Sequence, residues 1–245
     1  MSEQAWMAML LPGLPAMLRA AGAALLVPAF TGMPISMRAG LVLIAAVVAW
    51  PMGAGTTVPP ESPWLWAPQE LAVGAIVGAT AAAAAGGLRL AGRLIGEQMG
   101  LGLGEVAQPE GAETEGNAAE ATLGWCSAAC FVAVGGIEAV VTTAARGREG
   151  QAAWGLGVEG IASALDAASQ LALRVSLPVL ALTMAGAAIG GVIVRSAPGV
   201  MTLAGGFGVR AAMGLGMLAA TTVGVWAAQT ELLRAALARL AGGVA

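Results

Sequence analysis

Charged side chains in or at the edges of long apolar runs are the residues of this sequence whose types could carry chemistry. A charged side chain at the centre of a membrane helix costs roughly 2.5–3.5 kcal/mol on insertion scales, so it usually faces a cavity, a bundle interior or a partner. Internal pairing, for example of Glu138 with an arginine of another helix, is the simpler interpretation, and translocation of a proton or ion is the alternative. The predicted buried charges are Arg19, Glu138, Arg174 and Arg210.

The sequence lacks the usual means of catalysis and metal binding. It contains no histidine, which removes the common general base, zinc ligand and proton relay. Cys126 and Cys130 lie four residues apart in an apolar run, and two thiols without other soft ligands make a poor metal site, so we interpret them as packing residues. No phosphate-binding loop or HExxH motif occurs, and no base could activate a serine or threonine. We predict that the protein is not an enzyme and binds no cofactor and no metal.

Composition places the chain in a membrane. Apolar residues make up 58% of the 245 residues, charged residues make up 10%, and the mean hydropathy is +0.82. Soluble domains carry about 25% charged residues. The net charge of −3 and the lack of a basic patch argue against binding of nucleic acid. The first residues, MSEQAWMAMLLPG, contain no lysine or arginine, so we expect the first apolar segment to be retained and not cleaved as a signal peptide.

Six apolar runs predict an all-α integral membrane protein. The second run is shorter than the ~20 residues that a helix needs to cross the hydrocarbon. Four prolines between residues 59 and 68 predict a break in the helical structure of residues 53–68. Residues 152–173 have Glu159 and Asp166 one heptad apart and predict an amphipathic helix, as does the C-terminal tail. The apolar runs are residues 6–27, 40–52, 70–87, 123–145, 176–194 and 201–226.

A stripe of glycines spaced four residues apart is the most informative feature of the sequence. On a helix this spacing places the glycines on one face, which forms a groove where another backbone can approach closely. Glycine costs about 1 kcal/mol per helical position relative to alanine, so such a stripe is hard to explain in a helix that stands alone. The same spacing occurs at Gly74 and Gly78. The predicted close-packing groove consists of Gly92, Gly96, Gly100 and Gly104.

An acidic segment follows the glycine stripe. Residues 105–120 contain five glutamates and no basic residue. A solvated linker is one interpretation of this composition, and a mobile loop that lies across an opening is the other. The residues of the predicted plug-like loop are Glu105, Pro109, Glu110, Glu113, Glu115 and Glu120.

The glycine stripe also resembles a family motif. The string GRLIGEQMGL, from Gly92 to Leu101, with Pro109 after it, is similar to the AG-x-x-IG-x-QMGLS…P motif of the FliR family. FliR proteins are export-gate subunits of bacterial flagellar type III secretion, and their injectisome relatives are called SctT. Gly102 stands where the family has serine. Three further pieces occur in the family's order, namely Leu18-Arg19 through Pro28 to Arg38-Ala-Gly-Leu, then Leu177-Pro178, then Arg195-Ser-Ala-Pro198 with Gly206-Phe207.

The resemblance implies a non-enzymatic subunit of the inner-membrane type III protein export gate, with the flagellar branch favoured. Such a subunit helps to form the channel that passes unfolded export substrates. It implies broken or half-length helical hairpins wound with P- and Q-type partner subunits, in one copy of a hetero-oligomer that includes the large gate subunit. The implied location is the bacterial inner membrane at the flagellar basal body or the secretion apparatus.

This family implies a single membrane-embedded domain over residues 1–245. We expect helical hairpins and the glycine stripe in residues 1–104, the acidic loop in residues 105–122, and the C-terminal helices in residues 123–245. Soft apolar side chains beside the stripe, including a flexible methionine, could seal a constriction against ions and yield to a passing chain. The predicted gate residues are Gln98, Met99, Gly100, Leu101, Gly102 and Leu103.

A small secondary transporter is the alternative function. In that case Glu138, Glu159 or Asp166 would couple to a proton or cation, and the chain would act alone or as a homo-oligomer. The transporter hypothesis predicts that Glu138→Gln abolishes activity. The gate hypothesis predicts that Glu138→Gln has little effect, whereas leucine at Gly96 or Gly100 prevents assembly.

Overall fold

The computed structural model describes residues 13–27, 34–53, 63–100, 117–146, 151–196 and 203–242. The regular structure within these ranges is helical, and a short 3-10 helix, Trp50–Gly53, follows the second α-helix. We number the α-helices of the described ranges in chain order as α1 (Leu14–Leu25), α2 (Ile35–Ala49), α3 (Pro63–Met99), α4 (Ala118–Ala133), α5 (Gly136–Arg146), α6 (Gln151–Ser196) and α7 (Leu203–Gly242).

Three of these helices are long and apolar enough to cross a membrane. The spanning segments are Trp66–Met99 of α3, Val158–Val192 of α6 and Ala211–Arg239 of α7, and α4 and α5 together could form a broken fourth span. Helices α1 and α2 have 12 and 15 residues, which is less than the ~20 that hydrocarbon requires. The prediction of an all-α membrane protein with half-length and broken segments is confirmed.

The predicted break over residues 53–68 is wrong for residues 63–68, because proline does not interrupt the helix there, and residues 54–62 lie outside the described residues. Helix α3 begins at Pro63, where the missing N–H needs no partner, and continues through Pro68. Helix α6 contains Pro178 and joins two segments that we expected to be separate. An internal proline removes one backbone hydrogen bond, and helices of 37 and 46 residues keep the others. Helix α7 likewise joins the sixth apolar run to the C-terminal tail.

The fourth apolar run, in contrast, is not one helix. Helices α4 and α5 meet at an angle of 62°. Gly135 lies at the break with φ +76°, a left-handed conformation that side chains rarely adopt. Its backbone N–H donates to the carbonyl of Val132, and its own carbonyl accepts from Ala139 as the next helix begins. A break of this kind depends on one backbone conformation, which apolar periodicity does not reveal.

Gly135→Ala should lower the thermal stability of the protein by about 1–2 kcal/mol, the cost of a left-handed conformation for a residue with a Cβ. No atom lies within 4 Å of a Cβ built at Gly135, so the cost comes from the backbone alone. The thermal unfolding midpoint in detergent measures this effect. Gly224→Ala on α7, where the added Cβ also meets open space, is the control and should be neutral or stabilising. Equal midpoints for the two variants would contradict the argument.

The chain divides into two compact units. Unit 1 comprises Met1–Ala84, Phe131–Asp166 and Leu232–Ala245, and unit 2 comprises Ala85–Cys130 and Ala167–Glu231. Helix α4 begins at Ala118, inside the segment that we predicted as the acidic loop 105–122. The prediction of a single domain over residues 1–245 stays a prediction.

Unit 1 is built on close contact between α1 and the first half of α3. Glycines on both helices face backbone of the other helix: Gly22 lies against the carbonyl of Leu71, Gly74 against that of Arg19, and Gly78 against that of Ala23. Helix α1 also packs on α2 and α5. Small residues fill that interface, namely Ala16, Ala20, Ala49, Val141 and Ala145.

Candidate functional site

The glycine stripe lies at a close helix contact of unit 2. A Cβ on Gly92 would come within 2.7 Å of the Ala119 carbonyl oxygen and of the Glu120 Cα. A Cβ on Gly96 would overlap the side chain of Asn117. The end of α3 and the start of α4 therefore pack antiparallel with little space between their backbones. The helix that occupies this part of the groove belongs to the same chain.

The stripe does not continue as a helix through all four glycines. Helix α3 ends at Met99, and Gly100 has φ +77°. The Gly100 N–H donates to the Glu97 carbonyl at 3.1 Å, which tightens the last turn. Gly100 is therefore a helix terminator and not a third groove position, because only glycine adopts this conformation without strain. Gly104 lies outside the described residues.

Asn117 closes the other end of the acidic segment. Its Oδ1 accepts a hydrogen bond from the Glu120 backbone N–H at 2.9 Å, so Asn117 is the N-cap of α4. Glu120 is consequently a residue of the first helical turn, and its assignment to the loop is wrong. A carboxylate in this turn is favourable because it faces the positive end of the helix dipole. The other predicted plug residues, Glu105, Pro109, Glu110, Glu113 and Glu115, lie outside the described residues.

Met99 is buried within unit 2, with 1% of its surface exposed. Its side chain fills the space above Gly214 of α7, where a Cβ would come within 3.0 Å of the Met99 Cγ and Sδ. Gln98, beside it, is exposed. The remaining predicted gate residues, Leu101, Gly102 and Leu103, lie outside the described residues. A constriction formed by these residues stays a prediction.

A buried polar cluster in unit 2 escaped the sequence analysis. Gln229 has no exposed surface, and its Nε2 donates to the Ser127 hydroxyl at 3.1 Å. Ser127 in turn donates to the carbonyl of Ala85 at 2.6 Å. The sequence contained a pattern that could have revealed this cluster. Gln229 lies one helical turn after Val225 and one turn before Leu233, on a stripe of α7 that is buried in the structure. A glutamine in such a stripe needs a partner in the interior.

The predicted buried charges have different environments. Arg19 is partly buried and forms an ion pair with Glu70, with side-chain exposures of 11% and 16%. Glu138 and Arg174 are exposed in this chain, so their burial against a partner stays a prediction. Glu138 lies in the first turn of α5, where the helix dipole favours a carboxylate without an arginine partner. The Arg210 side chain lies outside the described part of the structure.

Within the described ranges, no group of three or more cysteine, aspartate, glutamate or histidine side chains could hold a metal ion. Cys130 is buried and Cys126 is partly buried, and neither forms a disulfide. Glu159 and Asp166 are both exposed on α6. The site is therefore a region of close helix packing around α3, α4 and α7 of unit 2, without a described centre for chemistry.

Comparison with known proteins assigns this arrangement to a family. A search among curated proteins finds no match. The model of the family described as bacterial export proteins, family 1, matches residues 10–235, which include all four pieces of the resemblance noted above. Proteins of this family are structural components of a bacterial export apparatus in the membrane and are not known as enzymes. The chain therefore belongs to the bacterial export proteins of family 1, the FliR/SctT family of type III export proteins.

Proposed function

We propose that this protein is a subunit of the type III export gate of the bacterial inner membrane, with a role at the flagellar basal body. It helps to form the channel through which unfolded export substrates cross, together with P- and Q-type subunits and the large gate subunit. The observation that carries this proposal is the family match over residues 10–235. The three candidate membrane spans support it, because a channel subunit must lie in the bilayer.

In this proposal, residues 98–103 contribute to the constriction and the acidic segment that follows acts as a plug. The packing of α3 and α4 supports this assignment. Gly100 ends α3 and Asn117 starts α4, and Asn117 lies against Gly96, one helical turn before Gly100. Both ends of segment 101–116 are thus attached to the same helical hairpin. The segment carries four glutamates and no basic residue.

Co-expression of the tagged chain with its genomic neighbours tests the proposal. The complex is extracted in mild detergent, and its mass is measured by native mass spectrometry. We expect one copy of this chain with several copies of two small hydrophobic subunits. A stable and monodisperse monomer or homodimer that recruits neither subunit would overturn the gate assignment.

Two variants separate packing from charge in the same assay. Gly92→Leu should abolish recovery of the complex, because even a Cβ at this position comes within 2.7 Å of α4 backbone atoms. Glu138→Gln should leave the complex at the parental level, because Glu138 is exposed and a helix-dipole contact contributes only about 0.3–1 kcal/mol. Loss of the complex with Glu138→Gln would contradict a role based on packing.

A further inference from the structure

The buried polar cluster of unit 2 connects α7 to α4 and α3. Helices α3 and α7 are connected at two places within unit 2, once directly and once through Ser127 of α4. At one, Met99 of α3 lies on Gly214 of α7. At the other, Gln229 of α7 reaches Ala85 of α3 through the hydroxyl of Ser127. The two points are separated by about the same number of residues on each helix, as expected for two helices that run antiparallel.

The two contacts differ in how strictly they specify the axial position. The contact of Met99 with Gly214 is apolar, and after a slip by one helical turn of about 5.4 Å Met99 would still meet an apolar residue, Ala211 or Leu218, although not the space at Gly214. A hydrogen bond between two buried side chains has no such substitute in an apolar interior, because a displaced Gln229 amide would leave polar atoms without partners. In some helical proteins a single buried polar side chain selects one register among several.

The position at Met99 matters because the residue of α7 that lies against it is a glycine. Gly214 has no side chain, and the Met99 side chain occupies the volume that a Cβ would need. A slip by one turn would bring Ala211 or Leu218 to this level, and either side chain would displace Met99. The axial position of α7 therefore decides whether the last residue of α3 remains buried.

We propose that Gln229 is a positioning residue that, through Ser127, holds α7 in the register that places Gly214 opposite Met99. Gln229 Oε1 has no hydrogen-bond partner among the described residues, so the Nε2–Ser127 bond alone anchors the amide. Met99 is the last helical residue before Gly100 and the segment 101–116. The consequence for the export gate rests on the proposed function, whereas the register itself does not.

Disulfide cross-linking in the membrane measures the register directly. In a disulfide, the sulfur of one cysteine lies about 3 Å from the Cβ of the other. The Met99 Cγ, which marks where the sulfur of a cysteine at position 99 would lie, is 3.0 Å from a Cβ built at Gly214. In a background with Cys126→Ala and Cys130→Ala, Met99→Cys is combined in turn with Ala211→Cys, Gly214→Cys and Leu218→Cys. We expect the pair at positions 99 and 214 to form fastest.

Two variants then test what holds the register. They are Gln229→Met, which keeps the volume of the side chain, and Ser127→Ala. In both variants, the rate of disulfide formation at 99–214, relative to the rates at 99–211 and 99–218, should fall by about three- to fifteen-fold. This is the effect of one interhelical hydrogen bond in a membrane. Thr230→Val is the matched control, because the Thr230 hydroxyl donates to Ala227 of its own helix. This control should leave the ratio unchanged.

A uniform fall of all three rates, or a ratio equal to that of Thr230→Val, would overturn the proposal, since a merely structural role predicts either of these results. Ser127→Ala removes a single oxygen atom and serves as the decisive variant if Gln229→Met fails to fold. The outcome is separable from that of the proposed function. A shifted ratio in a chain that recruits no small subunits would support the register and refute the gate, and the reverse result would do the opposite.

Discussion

Gly74→Ala should destabilise unit 1 by about 2 kcal/mol or more, and Gly74→Leu should prevent the protein from accumulating in the membrane. Gly74 lies directly on the backbone of Arg19, where even a Cβ would overlap the carbonyl group. A helix backbone cannot yield as a flexible side chain can, so α1 and α3 would have to separate. This separation would also open the neighbouring contacts of Gly22 and Gly78.

The measurement is the thermal unfolding midpoint of the purified chain in detergent, with membrane accumulation for the leucine variants. Gly86 is the matched control, because it lies on the same helix and nothing is within 4 Å of its added Cβ. Gly86→Ala should be neutral or stabilising, since alanine favours a helix over glycine by about 1 kcal/mol. If Gly74→Ala were as stable as Gly86→Ala, the close approach of α1 and α3 would be wrong.

Glu70→Ala should destabilise the protein by about 3–5 kcal/mol, because it leaves the Arg19 guanidinium buried without its carboxylate. Both side chains are largely buried, with exposures of 11% and 16%. The expected loss of stability comes from the cost of an unpaired, largely buried charge and not from the attraction of the pair alone. Chemical denaturation monitored by tryptophan fluorescence measures the loss.

Two further variants test this cause. The double variant Arg19→Leu with Glu70→Leu should recover most of the lost stability, because apolar residues of similar volume replace a buried ion pair at little cost. Glu97→Ala breaks the pair of Arg93 and Glu97, which is exposed at 65% and 54% and whose Nε–Oε1 distance is 3.2 Å. That variant should lose no more than about 0.5 kcal/mol. A loss with Glu70→Ala as small as with Glu97→Ala would mean that Arg19 reaches water.

The sequence alone determined the class of the protein and pointed to a close helix contact at part of the glycine stripe. An apolar content of 58% against 10% charged residues indicates a membrane protein. So much apolar surface must be kept out of water whatever the arrangement of the helices. Glycine spacing indicated close contact at Gly92 and Gly96, and the structure places α4 backbone against Gly92 and the Asn117 side chain against Gly96. The family was also evident from the residues around the stripe and the pieces that follow it in order, because such motifs can be compared without knowledge of the fold.

Only the tertiary structure decided which residues are partners. Arg19 and Glu70 are 51 positions apart, and Gln229 and Ser127 are 102 apart, so no local pattern could pair them. Helix continuity was likewise undetermined: Pro178 lies inside α6, whereas Gly135 breaks the fourth apolar run. Periodicity reports which face of a helix is buried, because it follows from local geometry. What that face contacts depends on the arrangement of all the helices. The left-handed backbone conformation of Gly100, at the end of α3, is likewise visible only in the structure.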